Sequence, residues 1–108
     1  MINRILASAA LSMTLLAGAA LAQKPGDATK GKEVFDQCGI CHSADTTEKK
    51  MGPGLKGLYK KAKLANGQKP TDATVLEFVN KGKGTMPAFA DVLSAEEKSD
   101  LLAYLKTL

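Results

Sequence analysis

The sequence predicts an all-α domain of three main helices joined by long loops. Apolar residues recur at three- and four-residue spacing in three separate stretches, and each stretch opens on a capping residue. No stretch alternates in the manner of a strand. The chain has 108 residues, 44% hydrophobic and 24% charged, with 10 Gly and 4 Pro. That composition excludes a disordered tail, a collagen-like chain and a multi-spanning membrane protein, and the length allows one small domain. Only Phe35, Phe78, Phe89, Tyr59 and Tyr104 are aromatic, and there is no Trp. Small domains bury a low fraction of their surface, and aromatic side chains carry much of a core's apolar area. Something besides side chains is therefore expected to complete this core.

Residues 1–22 read as an address. Arg4 precedes an apolar run from Ile5 to Ala22, no acidic residue appears before Asp27, and the run ends in Ala20-Leu21-Ala22, a small-x-small peptidase site. Cleavage before Gln23 is expected over retention as an anchor, because the run of 18 residues is barely long enough to span and is diluted by Ala and Gly. Residues 23–108 then form a single exported domain in the periplasm, with no stable membrane insertion. Without Arg4, 14 Lys stand against 11 acidic residues, a net charge of +3 with no Arg. Nucleic-acid binders mix in Arg for its bidentate fork, so nucleic acid is not an expected partner. The Lys excess suits either a docking surface or a generally solvated one.

The first helix is expected from Asp27, its N-cap, to about Cys41. Gly31, Val34, Phe35 and Cys38 share one face, and Lys30, Lys32, Glu33 and Asp36 the other. Gly31 in a helix interior costs about 1 kcal/mol against Ala, which is understandable if another helix crosses closely there.

At the end of this stretch lies Cys38-Gly39-Ile40-Cys41-His42, holding both cysteines and the one histidine of the chain. A structural zinc site needs four ligands, and no second cluster supplies the rest. A redox dithiol belongs after a strand in an alternating β/α pattern, which is absent. The remaining reading is C-x-x-C-H haem attachment. Residues three and four apart share a face of a helical turn, so both thiols can add across the two vinyl groups of one porphyrin. His42 is then aimed under the iron.

From Ser43 to Lys69 the chain is rich in Gly, Lys and Thr, with a short helical turn near Leu58–Lys61 and a turn signal at Asn66-Gly67. So long a stretch with little regular structure makes sense if it wraps something, and a haem is that something. Pro53 in this loop can offer its carbonyl to the second nitrogen of His42, since a ligating imidazole usually donates its other N–H. Plain turn chemistry also accounts for Pro53. A second helix is expected from about Ala73 to Lys81, capped by Asp72 or Thr71 and stopped by Gly82. Its apolar face is Val75, Leu76 and Val79, with Phe78 beside them. The last helix starts at Ser94, where Ser94 and Glu97 form a capping box, and Leu101, Leu105 and Leu108 make its stripe.

A sixth iron ligand is sought among the methionines. Met1 and Met13 belong to the leader, and Met51 sits in a loop on the His42 side. Met86 has enough chain after His42 to return on the opposite face, and Pro87 biases it toward extended backbone. Met86 as an ordinary core filler is the alternative. His/Met ligation is a known haem pattern, which favours Met86 as a ligand.

These residues resemble the class I cytochromes c, in the compact bacterial form. Gly26-Asp27 to Phe35 is similar to the family's N-terminal helix, Cys38, Cys41 and His42 to its haem motif, and Gly52 to Gly57 to its Gly-Pro loop. Met86 matches the distal ligand, and Leu101 to Leu105 the C-terminal helix. The resemblance implies the cytochrome c fold, wrapped around one covalently bound haem c. The Trp and Arg that larger members place near the haem propionates are missing, which leaves Tyr59, Lys56 and backbone amides as candidates for that role.

The expected function is periplasmic transfer of single electrons between redox partners, with no enzymatic step, because two protein ligands leave the iron no open position. Phe35, Leu55, Tyr59, Phe89 and Leu101 are expected to pack around the haem, together with Gly31, Val79 and Tyr104. Lys49, Lys50, Lys56, Lys60, Lys61, Lys63, Lys81 and Lys83 are expected to rim the exposed ring edge and steer partners with acidic docking surfaces to a monomer. The alternatives are a haem subunit of a dehydrogenase or oxidase complex, and a gas- or peroxide-binding haem protein with Met86 displaced.

Overall fold

The computed structural model describes residues 25–108; the leader and its cut before Gln23 lie outside the described residues. Helix α1 (Ala28–Phe35) opens on Asp27, whose carboxylate accepts the N–H of Thr29 at 2.8 Å and of Lys30 at 3.2 Å. Two of the otherwise orphaned first amides are thereby satisfied. The helix ends at Phe35 rather than Cys41. Beyond it the chain tightens into stacked turns: the amides of Cys38 and Gly39 share the Phe35 carbonyl at 2.7 and 2.9 Å, and those of Cys41 and His42 share the Cys38 carbonyl at 3.1 and 2.9 Å. Residues three apart remain neighbours in either conformation, so spacing does not distinguish the two.

A single 3-10 turn follows at Leu58–Lys60. Helix α2 (Asp72–Lys81) is capped by Thr71, one of the two expected candidates. The Thr71 hydroxyl accepts the Thr74 N–H at 3.1 Å, and the Thr74 hydroxyl accepts the Thr71 N–H at 2.8 Å. Gly82, at φ 66°, ends the helix in a conformation costly to any residue with a Cβ. Helix α3 (Ala95–Leu105) begins with the expected box: the Ser94 hydroxyl accepts the Glu97 N–H at 3.1 Å and the Glu97 carboxylate accepts the Ser94 N–H at 3.0 Å. Among the described residues there is no strand, only an isolated pairing of Lys83 with Met86. No described helix is long and apolar enough to cross a membrane.

The main packing contact is α1 against α3, with α2 touching α3 more lightly. Gly31 is buried at the crossing, where a Cβ would run into the carbonyl oxygen of Asp100 and lie 2.8 Å from the Cβ of Tyr104. One turn on, the Phe35 and Tyr104 rings meet with centroids 5.3 Å apart, tilted by 58°. Phe35, Leu58, Val75, Val79, Leu93, Leu101 and Leu105 form the buried core. Leu58 joins it from the 3-10 turn and Leu93 from the segment before α3.

Candidate functional site

The turns after α1 carry Cys38, Cys41 and His42 in succession, and the loop at Gly52-Pro53 lies against the Cys41 backbone and the His42 ring. The Cys41 carbonyl accepts the Gly52 N–H at 2.9 Å, and the Ser43 carbonyl accepts the Leu55 N–H at 2.7 Å. These two bonds hold the loop against the imidazole of His42, whose Nδ1 lies 2.8 Å from the carbonyl oxygen of Pro53. A carbonyl only accepts, so the proton of a neutral imidazole sits on Nδ1 and the lone pair is on Nε2. Gly52 makes the approach possible: a Cβ there would strike Cε1 of His42 and lie 2.8 Å from Nδ1 and 3.0 Å from Nε2.

Both thiols are free and half-buried. Burial, helped by the neighbouring Cys41, pushes the Cys38 thiol above its ordinary value, which disfavours the thiolate there. Cys38 packs on the core, whereas the Cys41 Sγ lies 3.9 Å from the Sδ of exposed Met51. Among the described residues no three His, Cys, Asp or Glu side chains converge, so a tetrahedral zinc cage is not assembled.

Met86 reaches the same core from the other end of the chain. Lys83, Gly84, Thr85 and Met86 form a two-residue hairpin, in which the Lys83 N–H donates to the Met86 carbonyl at 3.1 Å and the Met86 N–H to the Lys83 carbonyl at 3.0 Å. Gly84 supplies φ 60° at the first central position, the requirement of a type II′ turn. The segment after Pro87 is tied back to α2, since the Val79 and Asn80 carbonyls accept the Phe89 and Ala90 amides at 3.0 and 3.3 Å. Met86 thus projects from a backbone fixed on both sides, and its side chain packs on the core.

Of the residues expected around a haem, Cys38, Leu55, Tyr59, Met86 and Phe89 all pack, part-exposed, against one cluster that contains Phe35 and Leu101. Leu101 is 2% exposed and lies within the helix crossing. Tyr59 has a second engagement that sequence does not disclose. Its hydroxyl donates to Asp72 at 2.9 Å, and Lys106 donates to the other oxygen of Asp72 at 2.7 Å. Burial first, then the Asp72 hydrogen bond, push the Tyr59 phenol well above its usual range. Its hydroxyl is spoken for before any propionate is considered.

The expected lysine rim is mixed. Lys49, Lys50, Lys56, Lys60, Lys63, Lys81 and Lys83 are exposed, but Lys61 is half-buried and donates to the Gly54 carbonyl at 3.2 Å. Lys81 pairs with Glu77 at 2.7 Å, which cancels its charge. Lys50 and Lys83 donate to the Gly39 and Ala65 carbonyls at 3.3 and 3.1 Å and keep theirs.

The donor set fits a covalently held haem. It offers two unpaired thiols three residues apart, an imidazole oriented with Nε2 free, and an aliphatic thioether on an anchored loop. The part-exposed apolar side chains around them suit a flat hydrophobic ring. What sequence does not disclose is that Gly52 yields space to the His42 ring and that Met51 lies against the Cys41 sulfur.

Known proteins point the same way. Residues 26–105 match the family model described as cytochrome C oxidase, cbb3-type, subunit III. Cytochrome c2 of Blastochloris viridis is 34% identical over 97 residues, spanning 74% of this chain and 76% of that protein. Cytochrome c6 of Rippkaea orientalis is 37% identical over 81 residues, spanning 74% and 69%. Among solved structures, cytochrome c6 of the diatom Phaeodactylum tricornutum superposes with a TM-score of 0.59 at 30% identity, covering 76% of this chain and 93% of that one.

Proposed function

Because the chain belongs to the class I c-type cytochromes, electron carriers that hold one covalently attached haem c, we propose that it carries single electrons in the periplasm through a haem with His42 and Met86 as axial ligands. Cys38 and Cys41 are the thioether anchors in this reading, and residues 1–22 are a signal peptide removed before Gln23. The haem supplies one-electron ferric/ferrous chemistry when bound. The remaining work falls to the side chains and backbone of the chain.

The observation that carries the reading is the 2.8 Å contact between His42 Nδ1 and the Pro53 carbonyl. It puts the proton of the neutral ring on Nδ1, leaves the Nε2 lone pair as the one that would hold iron, and raises the basicity of the imidazole. Met86 supplies a neutral thioether, which favours the ferrous state, and the apolar shell of Leu55, Phe89 and Phe35 disfavours the extra charge of the ferric one. Both raise the reduction potential. With a haem bound, His42 and Met86 on backbone fixed by hydrogen bonds would move little on electron transfer and would fill both protein-ligand positions.

The protein works with redox partners, as its family does. We take those partners to present acidic surfaces to a monomer, steered by the exposed lysines, so that association slows as salt rises. The test is a reduced-minus-oxidised spectrum and an intact mass on protein from a periplasmic extract. A c-type spectrum and a mass of residues 23–108 plus one haem support the reading. A colourless chain with two alkylatable thiols overturns it. Met86→Ala should abolish the weak thioether–iron absorption of the ferric protein and lower the potential.

A second reading, a haem subunit held within an oxidase, draws on the description of the matching family model. Co-purification with membrane partners at high salt would favour it over a diffusing carrier.

A further inference from the structure

We infer that Met51, exposed beside the Cys41 anchor where the edge of the proposed haem would meet a redox partner, is an oxidisable switch residue, converted by peroxide to its sulfoxide. The inference builds on the function proposed above. Met usually lies inside a protein, yet Met51 is 69% exposed, and Ile40 is 73% exposed. Both flank Cys41: Ile40 precedes it in the chain, and the Met51 Sδ is 3.9 Å from its Sγ. Met51 is also held there. The Gly52 N–H donates to the Cys41 carbonyl at 2.9 Å, and the Lys50 N–H donates to the Gly52 carbonyl at 3.0 Å. The Lys50 ammonium meanwhile binds the Gly39 carbonyl at 3.3 Å. The result is a small apolar step beside a thioether anchor, bordered by the exposed cations Lys49 and Lys50.

The chemistry is a two-electron oxygen transfer from a hydroperoxide. A sulfur lone pair of Met51 attacks one peroxide oxygen, the S–O bond forms and the O–O bond breaks. The departing hydroxide takes up the proton of the transferred OH, so the thioether becomes sulfoxide and hydrogen peroxide is reduced to water. Met86 is protected twice over, because its side chain packs on the core and its lone pair is committed to iron in the proposed function. The product replaces an exposed apolar sulfur by a polar acceptor next to two lysines. Contact between two apolar edges, the arrangement that passes an electron, is weakened, and sulfoxide reductases reverse the change.

The test uses the haem-loaded protein, titrated with hydrogen peroxide and digested after lysine. Cleavage at Lys50 and Lys56 isolates Met51 from the haem peptide, and cleavage at Lys83 isolates Met86. The Met51 peptide should gain one oxygen at a lower dose than the Met86 peptide. Electron self-exchange between two copies, read from NMR line broadening in a half-reduced sample, should fall about threefold or more on oxidation. It should recover with a methionine sulfoxide reductase and stay constant in peroxide-treated Met51→Leu. Equal or earlier oxidation at Met86, or self-exchange indifferent to the Met51 sulfoxide, overturns the inference. Loss of the proposed function would show separately, as absence of a c-type spectrum before any peroxide is added.

Discussion

Asp100 accepts the backbone N–H of Asp27 at 2.8 Å through Oδ1, so the residue that caps α1 is itself held by α3. Asp100 is only 7% exposed, and the bond joins residues 73 apart in sequence. Together with the Gly31 contact it makes the α1–α3 crossing the joint on which the termini of the domain depend.

That joint predicts the effect of Gly31→Ala. Helix propensity alone favours Ala by about 1 kcal/mol, but the added methyl meets the Asp100 carbonyl, and overpacking of this kind costs about 1–3 kcal/mol. The second effect wins because the obstacle is backbone and cannot rotate aside. The denaturant midpoint of the haem-loaded protein should fall; an unchanged or raised midpoint would contradict the tight crossing.

Gly52→Ala probes the other close approach. The methyl would press on the His42 ring and lengthen the bond from Nδ1 to Pro53. A weaker bond lowers imidazole basicity, so the reduction potential should rise while the covalent haem is retained. Voltammetry on wild type and variant reads this directly, and equal potentials would show that the Pro53 bond does not tune the iron.

The Tyr59–Asp72–Lys106 cluster predicts pH effects at both extremes. The Lys106 ammonium is the main cause holding the Asp72 carboxyl below its usual range, opposed in part by burial and aided by Tyr59. A depressed carboxyl stabilises the fold above its ordinary value of about 4 and loses that contribution as pH falls through its folded value. Asp72 and Lys106 are both about half exposed, so Asp72→Asn should cost at most about 1 kcal/mol at neutral pH, and that cost should shrink as the solution is acidified below the ordinary carboxylate range. Tyr59 has the opposite sense: its raised phenol contributes fully below about pH 10 and fades as pH rises toward its folded value. Tyr59→Phe should flatten the alkaline loss of stability, checked by urea unfolding across pH 9–12 (approximate limits).

Removing the haem tests the core itself. Five aromatic residues and a cluster of seven buried apolar side chains are a thin core for this length. Cys38→Ala/Cys41→Ala, which has no covalent anchor, should be largely unfolded when free of haem. Near-native helicity by circular dichroism would show that the polypeptide stands alone.

Much of this was legible because it is written locally. Asp27, Ser94 with Glu97, and Gly82 each act on neighbours within four residues, so cap and stop signals fall where the structure has them. Gly31 was readable for a different reason, since a costly glycine in a helix implies a neighbour that needs the room. The end of α1 was not, because three-residue spacing serves a helix and a stack of turns equally. The cap of α2 hid its second half: Thr74 does what Glu or Gln usually does at that position. The partners of Tyr59 come from two other elements, brought near only by folding. Likewise nothing about Gly52 in sequence tells a turn glycine from one that yields its side-chain volume to a histidine ring.

The acceptor that orients His42 belongs to the main chain, and this has a bearing on how the protein can vary. Every amino acid at position 53 brings a carbonyl, so no codon change there erases the acceptor; proline adds only a stiff approach to it. Mutation can re-aim that oxygen by inserting, deleting or bulking out neighbouring loop residues, but cannot delete it. Heritable adjustment of the imidazole is therefore graded, where a carboxylate partner would have made it all-or-none.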